Sequence, residues 1–272
     1  MKLKRTLIYA LIAILFVPQT EISARKRTFE GTAIVAHRGF WNCEEAGYAK
    51  NSIAALKCAQ EAGFWGSEFD VNMTADGELI VFHDSKVDGK LIEKHPYKDF
   101  QYFRLKNGEP IPTLDQYLEQ AKKSPETVLV YELKPHSCPK VEDKFIDLSI
   151  ERLKAHDMLD PSKVIFISFS KHICKRIAQL LPDFCVQYLN GELSPRDVKS
   201  AGINGIDYNH KLFKIHKKWV SDARKLDMST NSWTVNKQED MKIILDMKID
   251  MITTDHPLVA RDVLKEMKIK EL

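Results

Sequence analysis

The stretch VLVYELKPHSCPKVEDKFIDLSIERLKAHDMLDPSKVIFIS, residues 128–168, contains one complete structural unit. An apolar run, Val128–Leu133, passes through a short polar link into an amphipathic stretch, Val141–His156. A second apolar run, Val164–Ser168, follows. Strands of a parallel sheet are covered on both faces, so they read as near-continuous apolar runs rather than as alternating ones. The segment is a β–α–β unit.

The same unit recurs in both directions. Further strand-like runs are Ala33–His37, Gly66–Val71, Cys185–Tyr188, Gly205–Tyr208, Met228–Thr234 and Met251–Thr254, making eight. The remaining helical stretches are Ser52–Ala62, Thr113–Lys123, Lys171–Leu181, Pro195–Ala201, Phe213–Leu226, Lys237–Met247 and Pro257–Glu266. Ile53, Leu56, Ala59 and Gln60 follow a helical stripe behind a cap at Asn51 or Ser52, and Thr113 caps the next helix. Eight strand–helix repeats predict an α/β fold, a (β/α)8 TIM barrel, for which ~250 residues is usual. A doubly wound open sheet is the alternative with the same pattern. One long break, Asp84–Pro112, reads as an insertion after the second strand region, with Glu78–Phe82 as an extra strand leading into it.

With 44% hydrophobic and 29% charged residues, the composition is that of one globular domain. The formal net charge of +3 gives no electrostatic case for nucleic acid as a partner. Lys2, Lys4 and Arg5, the apolar run Leu7–Val17 and the small residues Ser23 and Ala24 have the order of a secretory signal. Residues 1–24 are therefore expected to be removed and residues 25–272 to form the exported domain, periplasmic or extracellular, without a stable membrane anchor. An uncleaved N-terminal anchor is the competing reading. Cleavage would leave 38 basic and 37 acidic residues, a nearly neutral chain. Five cysteines without CxxC spacing fit neither a zinc site nor a dense disulfide framework. Cys43 with Cys58, or Cys174 with Cys185, are possible pairs in an oxidising compartment; buried free thiols are the other reading.

A barrel builds its site at the C-terminal ends of its strands. The first run closes on His37, Arg38 and Gly39, and the second carries Glu68 and Asp70 on one strand face. The extra strand leads to His83 and Asp84, and the third barrel run carries Glu132 and then Lys134. Three converging carboxylates without cysteine favour a hard divalent cation, Ca2+ or Mg2+. Two histidines beside them can share proton transfers, and Arg38 and Lys134 can neutralise a phosphate.

These residues lie in AHRGF (36–40), SEFDV (67–71), VFHD (81–84) and YELK (131–134). With IPTLDQYL (111–118), SWTVN (232–236) and TTDHP (253–257), they resemble the glycerophosphodiester phosphodiesterase family along nearly the whole mature chain. The resemblance implies metal ligation by Glu68, Asp70 and Glu132, and acid–base catalysis by His37 and His83. It also implies phosphate contacts from Arg38 and Lys134, and a place for Trp233 near the alcohol end of the substrate. Packing at the barrel rim is the alternative role for Trp233. Ser168 and Phe169 resemble a family SF pair with a supporting role, and Asn51 and Asp84 are expected to brace the site.

One departure from the family pattern is Lys50, where the family usually has Glu. Placing the usual Glu as a loop brace rather than a metal ligand predicts altered substrate preference with activity retained; Lys50 could then meet an anionic head group. The expected reaction is metal-dependent hydrolysis of small glycerophosphodiesters to glycerol 3-phosphate and an alcohol. A phospholipase-type activity on intact or lyso lipids would use an apolar rim drawn from Phe40, Trp41, Tyr97, Phe100, Tyr102 and Phe103. Packing of the insertion is the plainer role for most of these aromatics, and a non-enzymatic phosphodiester-binding barrel is the third reading.

Overall fold

Inward and outward residues alternate along each strand of the fold, and that alternation positions the site. The computed structural model describes residues 31–272; the expected signal peptide, residues 1–24, lies outside the described residues. The strands are β1 (Ala33–Ala36), β2 (Gly66–Met73), β3 (Leu79–Val81), β4 (Lys86–Val87) and β5 (Lys90–Leu91). They continue with β6 (Val128–Leu133), β7 (Val164–Ser168), β8 (Cys185–Tyr188), β9 (Gly205–Asn209), β10 (Ser229–Trp233) and β11 (Met251–Thr254). Eight of them run parallel in the order β1, β11, β10, β9, β8, β7, β6, β2, and a β1–β2 pairing closes the barrel. The open-sheet alternative is thereby excluded. β3 pairs antiparallel with the C-terminal end of β2, on the edge opposite β6, and lies within the stretch read as the extra strand.

The helices are α1 (Ile53–Glu61), α2 (Leu114–Ala121), α3 (Pro139–Ala155), α4 (Lys171–Leu180), α5 (Pro195–Ser200), α6 (His210–Ile215), α7 (Trp219–Lys225), α8 (Gln238–Asp246) and α9 (Pro257–Glu266). Ser52, rather than Asn51, caps α1 by accepting from the Ala55 amide, and Thr113 with Gln116 forms a capping box on α2. The stretch read as one helix, Phe213–Leu226, is two. α6 starts earlier, capped by Asn209, and ends at His216, whose ring stacks on Trp219 at 4.0 Å between centroids. His216, Lys217 and Lys218 carry the turn between them. Among the described residues no helix is long and apolar enough to cross a membrane.

On β6, Leu129, Tyr131 and Leu133 belong to the large core between barrel and helices, whereas Val128 and Val130 belong to the smaller core inside the barrel. Phe69 and Val71 of β2 face the helices likewise. Phe69 stacks on Tyr117 and Tyr131 at 4.5 and 4.9 Å between ring centroids. Period two then turns Glu68, Asp70 and Glu132 into the barrel.

The insertion has its own core of Ile80, Val87, Ile92, Phe100 and Ile111, with Tyr97 and Phe103 packed against it. Most of the insertion's aromatics therefore hold it together rather than forming a rim; Tyr102 is the exposed one. All five cysteines are free thiols, with Cys58 and Cys174 buried and Cys138 exposed.

Gly39 has φ +76°, and a Cβ there would come within 2.7 Å of Ala55 on α1. Gly39→Ala should therefore lose about 3 kcal/mol of stability through backbone strain and overpacking. Urea unfolding of the two proteins measures this directly.

Candidate active site at the C-terminal mouth of the barrel

Asp70 and Glu132 are register partners across the β2–β6 pair, and Glu68 lies one inward position below Asp70. Glu68, Asp70 and Glu132 are all buried, and each offers a carboxylate oxygen within 4.8 Å of the others. Cations from the neighbouring strand ends balance them. Lys134 Nζ lies 2.7 Å from Glu132 Oε1 and 3.2 Å from Asp70 Oδ1, and Arg38 Nε lies 3.4 Å from Asp70 Oδ2. The two residues expected to meet phosphate thus pair with the carboxylates in this structure.

The carboxylates respond unequally to this environment. Burial works against the charge of Asp70, but Lys134 and Arg38 hold its carboxyl down at about 2. Burial, reinforced by Asp70, pushes Glu132 up to about 7. Glu68 is raised well above the usual carboxylate range by burial and then by Asp70 and Glu132. Its Oε2 accepts a 2.7 Å bond from the Arg38 amide, while its buried Oε1 has no hydrogen-bond partner among the described residues.

The first loop is moulded around this cluster. The Gly39 amide donates to the Glu68 carbonyl at 3.0 Å, and the Asn51 amide donates to the Arg38 carbonyl at 3.0 Å. Asn51 donates from Nδ2 to Asp70 Oδ2 at 2.9 Å and accepts from the Asp70 amide at 3.1 Å. The bracing role expected of Asn51 is visible in these two bonds. Arg38 and Asn51 both adopt positive φ, 57° and 58°, conformations that the bonds to Glu68 and Asp70 hold in place.

The histidines flank the cluster from opposite chain directions. His37 Nδ1 lies 2.8 Å from Asp255 Oδ1, and its Nε2 lies 3.9 Å from Glu68 Oε2. His83 Nδ1 lies 2.7 Å from Asp84 Oδ1, the brace expected of Asp84. Partial burial, with Lys134 and Arg38 nearby, lowers the His83 ring below its ordinary value despite the opposing pull of Asp70. Asn72 Nδ2 donates to the Phe82 carbonyl at 2.7 Å, fixing the segment that carries His83.

Trp233 packs edge-on to Phe169 at 5.5 Å between centroids and donates its indole N–H to the Asp207 carbonyl at 2.9 Å. Lys134 Nζ lies 5.9 Å from the Phe169 ring centre, so the aromatic pair adjoins the charged cluster. Ser168 Oγ donates to the Leu133 carbonyl at 2.7 Å, a supporting contact between the ends of β6 and β7. Lys50 is exposed and sits over the Trp41 ring at 4.5 Å from its centre, outside the carboxylate cluster.

Asp255 and Asn236 lie in the TTDHP and SWTVN stretches, which assign them no role, and Asp207 lies in no such stretch. Asp255 accepts from Trp41 Nε1 at 2.9 Å on the oxygen that faces His37, and from Asn236 Nδ2 at 2.7 Å on the other. It directly follows the eighth apolar run, so the same search for polar strand ends would have found it. Asp207 lies inside the barrel and accepts from Asn231 Nδ2 at 3.1 Å; burial and then Glu132 raise its carboxyl well above the ordinary range. Position inside a strand gave no signal for it.

A family model described as "Glycerophosphoryl diester phosphodiesterase family" matches residues 37–259. A glycerophosphodiester phosphodiesterase of Bacillus altitudinis is 28% identical over 254 residues, covering 87% of this chain and 100% of that protein. The crystal structure of a glycerophosphodiester phosphodiesterase from Parabacteroides distasonis is 40% identical, with TM-score 0.84, covering 89% of this chain and 100% of the other. An Oleispira antarctica phosphodiesterase, solved in complex with the product sn-glycerol-3-phosphate, shares the fold at 24% identity and TM-score 0.73, covering 86% of this chain and 97% of that one.

Asp255 supports a prediction that needs no substrate. Burial opposes its charge, but bonds from His37, Asn236 and Trp41 hold its carboxyl well below the ordinary 3.8. A depressed folded-state value contributes stability that is present above the unfolded value and is lost as pH falls through the folded one. Asp255→Asn should cost about 1–3 kcal/mol at pH 7. The difference from wild type should hold above about pH 5 and shrink toward pH 2, as read from unfolding free energies across that range.

Proposed function

The chain belongs to the glycerophosphoryl diester phosphodiesterase family, and from that premise we propose that it hydrolyses glycerophosphodiesters to glycerol 3-phosphate and an alcohol. In this reading a divalent cation binds Glu68, Asp70 and Glu132, and His37 and His83 form the acid–base pair. The observation that carries the reading is the meeting of three inward carboxylates with two histidines and two cationic side chains at one end of the barrel.

The residues fit a hard cation. Their donors are carboxylate oxygens without sulfur, and the buried Glu68 Oε1 lacks a partner among the described residues. When bound, Ca2+ or Mg2+ would supply positive charge for the phosphoryl oxygens. Arg38 and Lys134 bring further charge to the same place, and Arg38 offers planar donors suited to phosphate. Asp255 assigns the His37 proton to Nδ1 and leaves Nε2 as the acceptor on the Glu68 side. Asp84 holds His83 through Nδ1, and partial burial lowers that ring below its ordinary value.

The histidine that enters neutral removes the proton of the attacking hydroxyl, and the other, entering protonated, gives its proton to the departing alcohol. The attacking group is either water or the substrate's own 2-hydroxyl, which gives a cyclic phosphate that water then opens to glycerol 3-phosphate. Phe169 and Trp233 supply an apolar wall for the organic part of the diester.

The test is turnover of a panel of soluble glycerophosphodiesters with Ca2+, Mg2+ or chelator, with cyclic phosphate followed alongside. Release should depend on the metal, and His37→Ala, His83→Ala and Glu68→Gln should each lose about 100-fold or more in kcat. Full turnover in chelator, or histidine variants close to wild type, would overturn the assignment. Turnover confined to lipid vesicles would place the enzyme among phospholipases.

We also infer export of the mature domain, on the strength of the basic start, the Leu7–Val17 apolar run and the small residues Ser23 and Ala24. Sequencing the N-terminus of the protein recovered outside the cytoplasm should read Arg25 first; an intact Met1 would count against cleavage.

A further inference from the structure

We propose that Lys50 and Trp41 select the alcohol of the diester, disfavouring quaternary-ammonium head groups relative to neutral polyol or anionic ones. The identity of the substrate rests on the phosphodiesterase reading above; the cation selectivity rests on the geometry of this pair.

Trp41 is built into the site. Its indole N–H donates to Asp255 Oδ1 at 2.9 Å, the same oxygen that lies 2.8 Å from His37 Nδ1. One carboxylate oxygen therefore separates the indole N–H from His37, which places Trp41 next to the histidine proposed above for acid–base catalysis. The ring is also packed, with Phe40 and Cys43, against Ala46, Ala55 and Cys58 of the first loop and α1. This packing and the bond to Asp255 fix the ring beside His37.

The Lys50 ammonium lies 4.5 Å from the centre of that ring. Both flanks of Lys50 are tied down. The Ala49 carbonyl accepts from Ser52 Oγ at 2.7 Å, and Asn51 holds Asp70 through the two bonds described above. Lys50 makes no ion pair with a carboxylate of the described residues, so its charge lies on the Trp41 ring without a paired counter-ion.

The aromatic face is the usual recognition element for quaternary ammonium groups, through the negative charge at the centre of the ring. In this protein a cation of its own already uses that attraction. A choline-like head would have to displace Lys50 or lie beside a like charge, and either outcome removes the advantage of the ring. A polyol head carries no such penalty, and an anionic head gains an attractive partner.

Two measurements on the metal-supplied full domain test the proposal. In the first, kcat/KM is determined for diesters of glycerol 3-phosphate with choline and with glycerol, using wild type, Lys50→Met and Lys50→Met/Trp41→Leu. Lys50→Met should raise the choline-to-glycerol ratio about tenfold, and the added Trp41→Leu should abolish that gain. In the second, choline chloride alone is titrated while the Trp41 indole N–H is followed by NMR, with Trp41→Phe used to assign it. The resonance should move in Lys50→Met and stay still in wild type.

A ratio unchanged within about twofold, or an indole signal that responds alike in both proteins, overturns the proposal. If wild type cleaves no diester, the phosphodiesterase reading fails, and the choline titration still decides the role of Lys50 and Trp41.

Discussion

Three carboxylates held in one end of a barrel dictate much of what surrounds them. Glu68, Asp70 and Glu132 are 3%, 1% and 7% exposed, so solvent does little to screen them. Two like charges about 4 Å apart repel by about 4 kcal/mol at an effective dielectric of 20, and burial adds a desolvation cost. Folding meets that cost with Lys134 and Arg38, and by leaving Glu68 and Glu132 easier to protonate than ordinary carboxyls. A site arranged in this way has a strong reason to accept a divalent cation.

The same cluster shapes the first loop. Arg38 turns into positive φ so that its amide reaches Glu68, and Gly39 follows because only a residue without Cβ fits against Ala55. Asn51 then returns the chain to Asp70. From there Ser52 starts α1, and Glu109 of the insertion accepts from the first amides of that helix. The insertion is thus joined to the mouth through a helix terminus while its apolar residues pack among themselves.

Asp255 links the last strand end to the first. It orients His37, anchors Trp41 and accepts from Asn236, so closure of the barrel between β1 and β11 is a condition for the geometry of His37. The side-chain groups that meet at the mouth come from residues as far apart as 37 and 255. Loop flexibility on either side would separate them; the parallel register holds them in place.

Period and punctuation made most of this legible in the residues themselves. Apolar runs marked all eight barrel strands because parallel strands are covered on both sides; alternation put Glu68 and Asp70 on one face, and position at a strand end added Glu132. The break after Ile215 was hidden because helical periodicity runs through His216–Lys218, and local packing on Trp219 ends the helix there. Sequence alone determined the order of the elements and the chemistry available at each strand end, since both follow from local patterns. Only the tertiary structure decided that Arg38 and Lys134 neutralise Asp70, that Asp255 orients His37 and that Lys50 covers Trp41. Those choices depend on distances between segments remote in the chain, which are set when the barrel closes and no local pattern records.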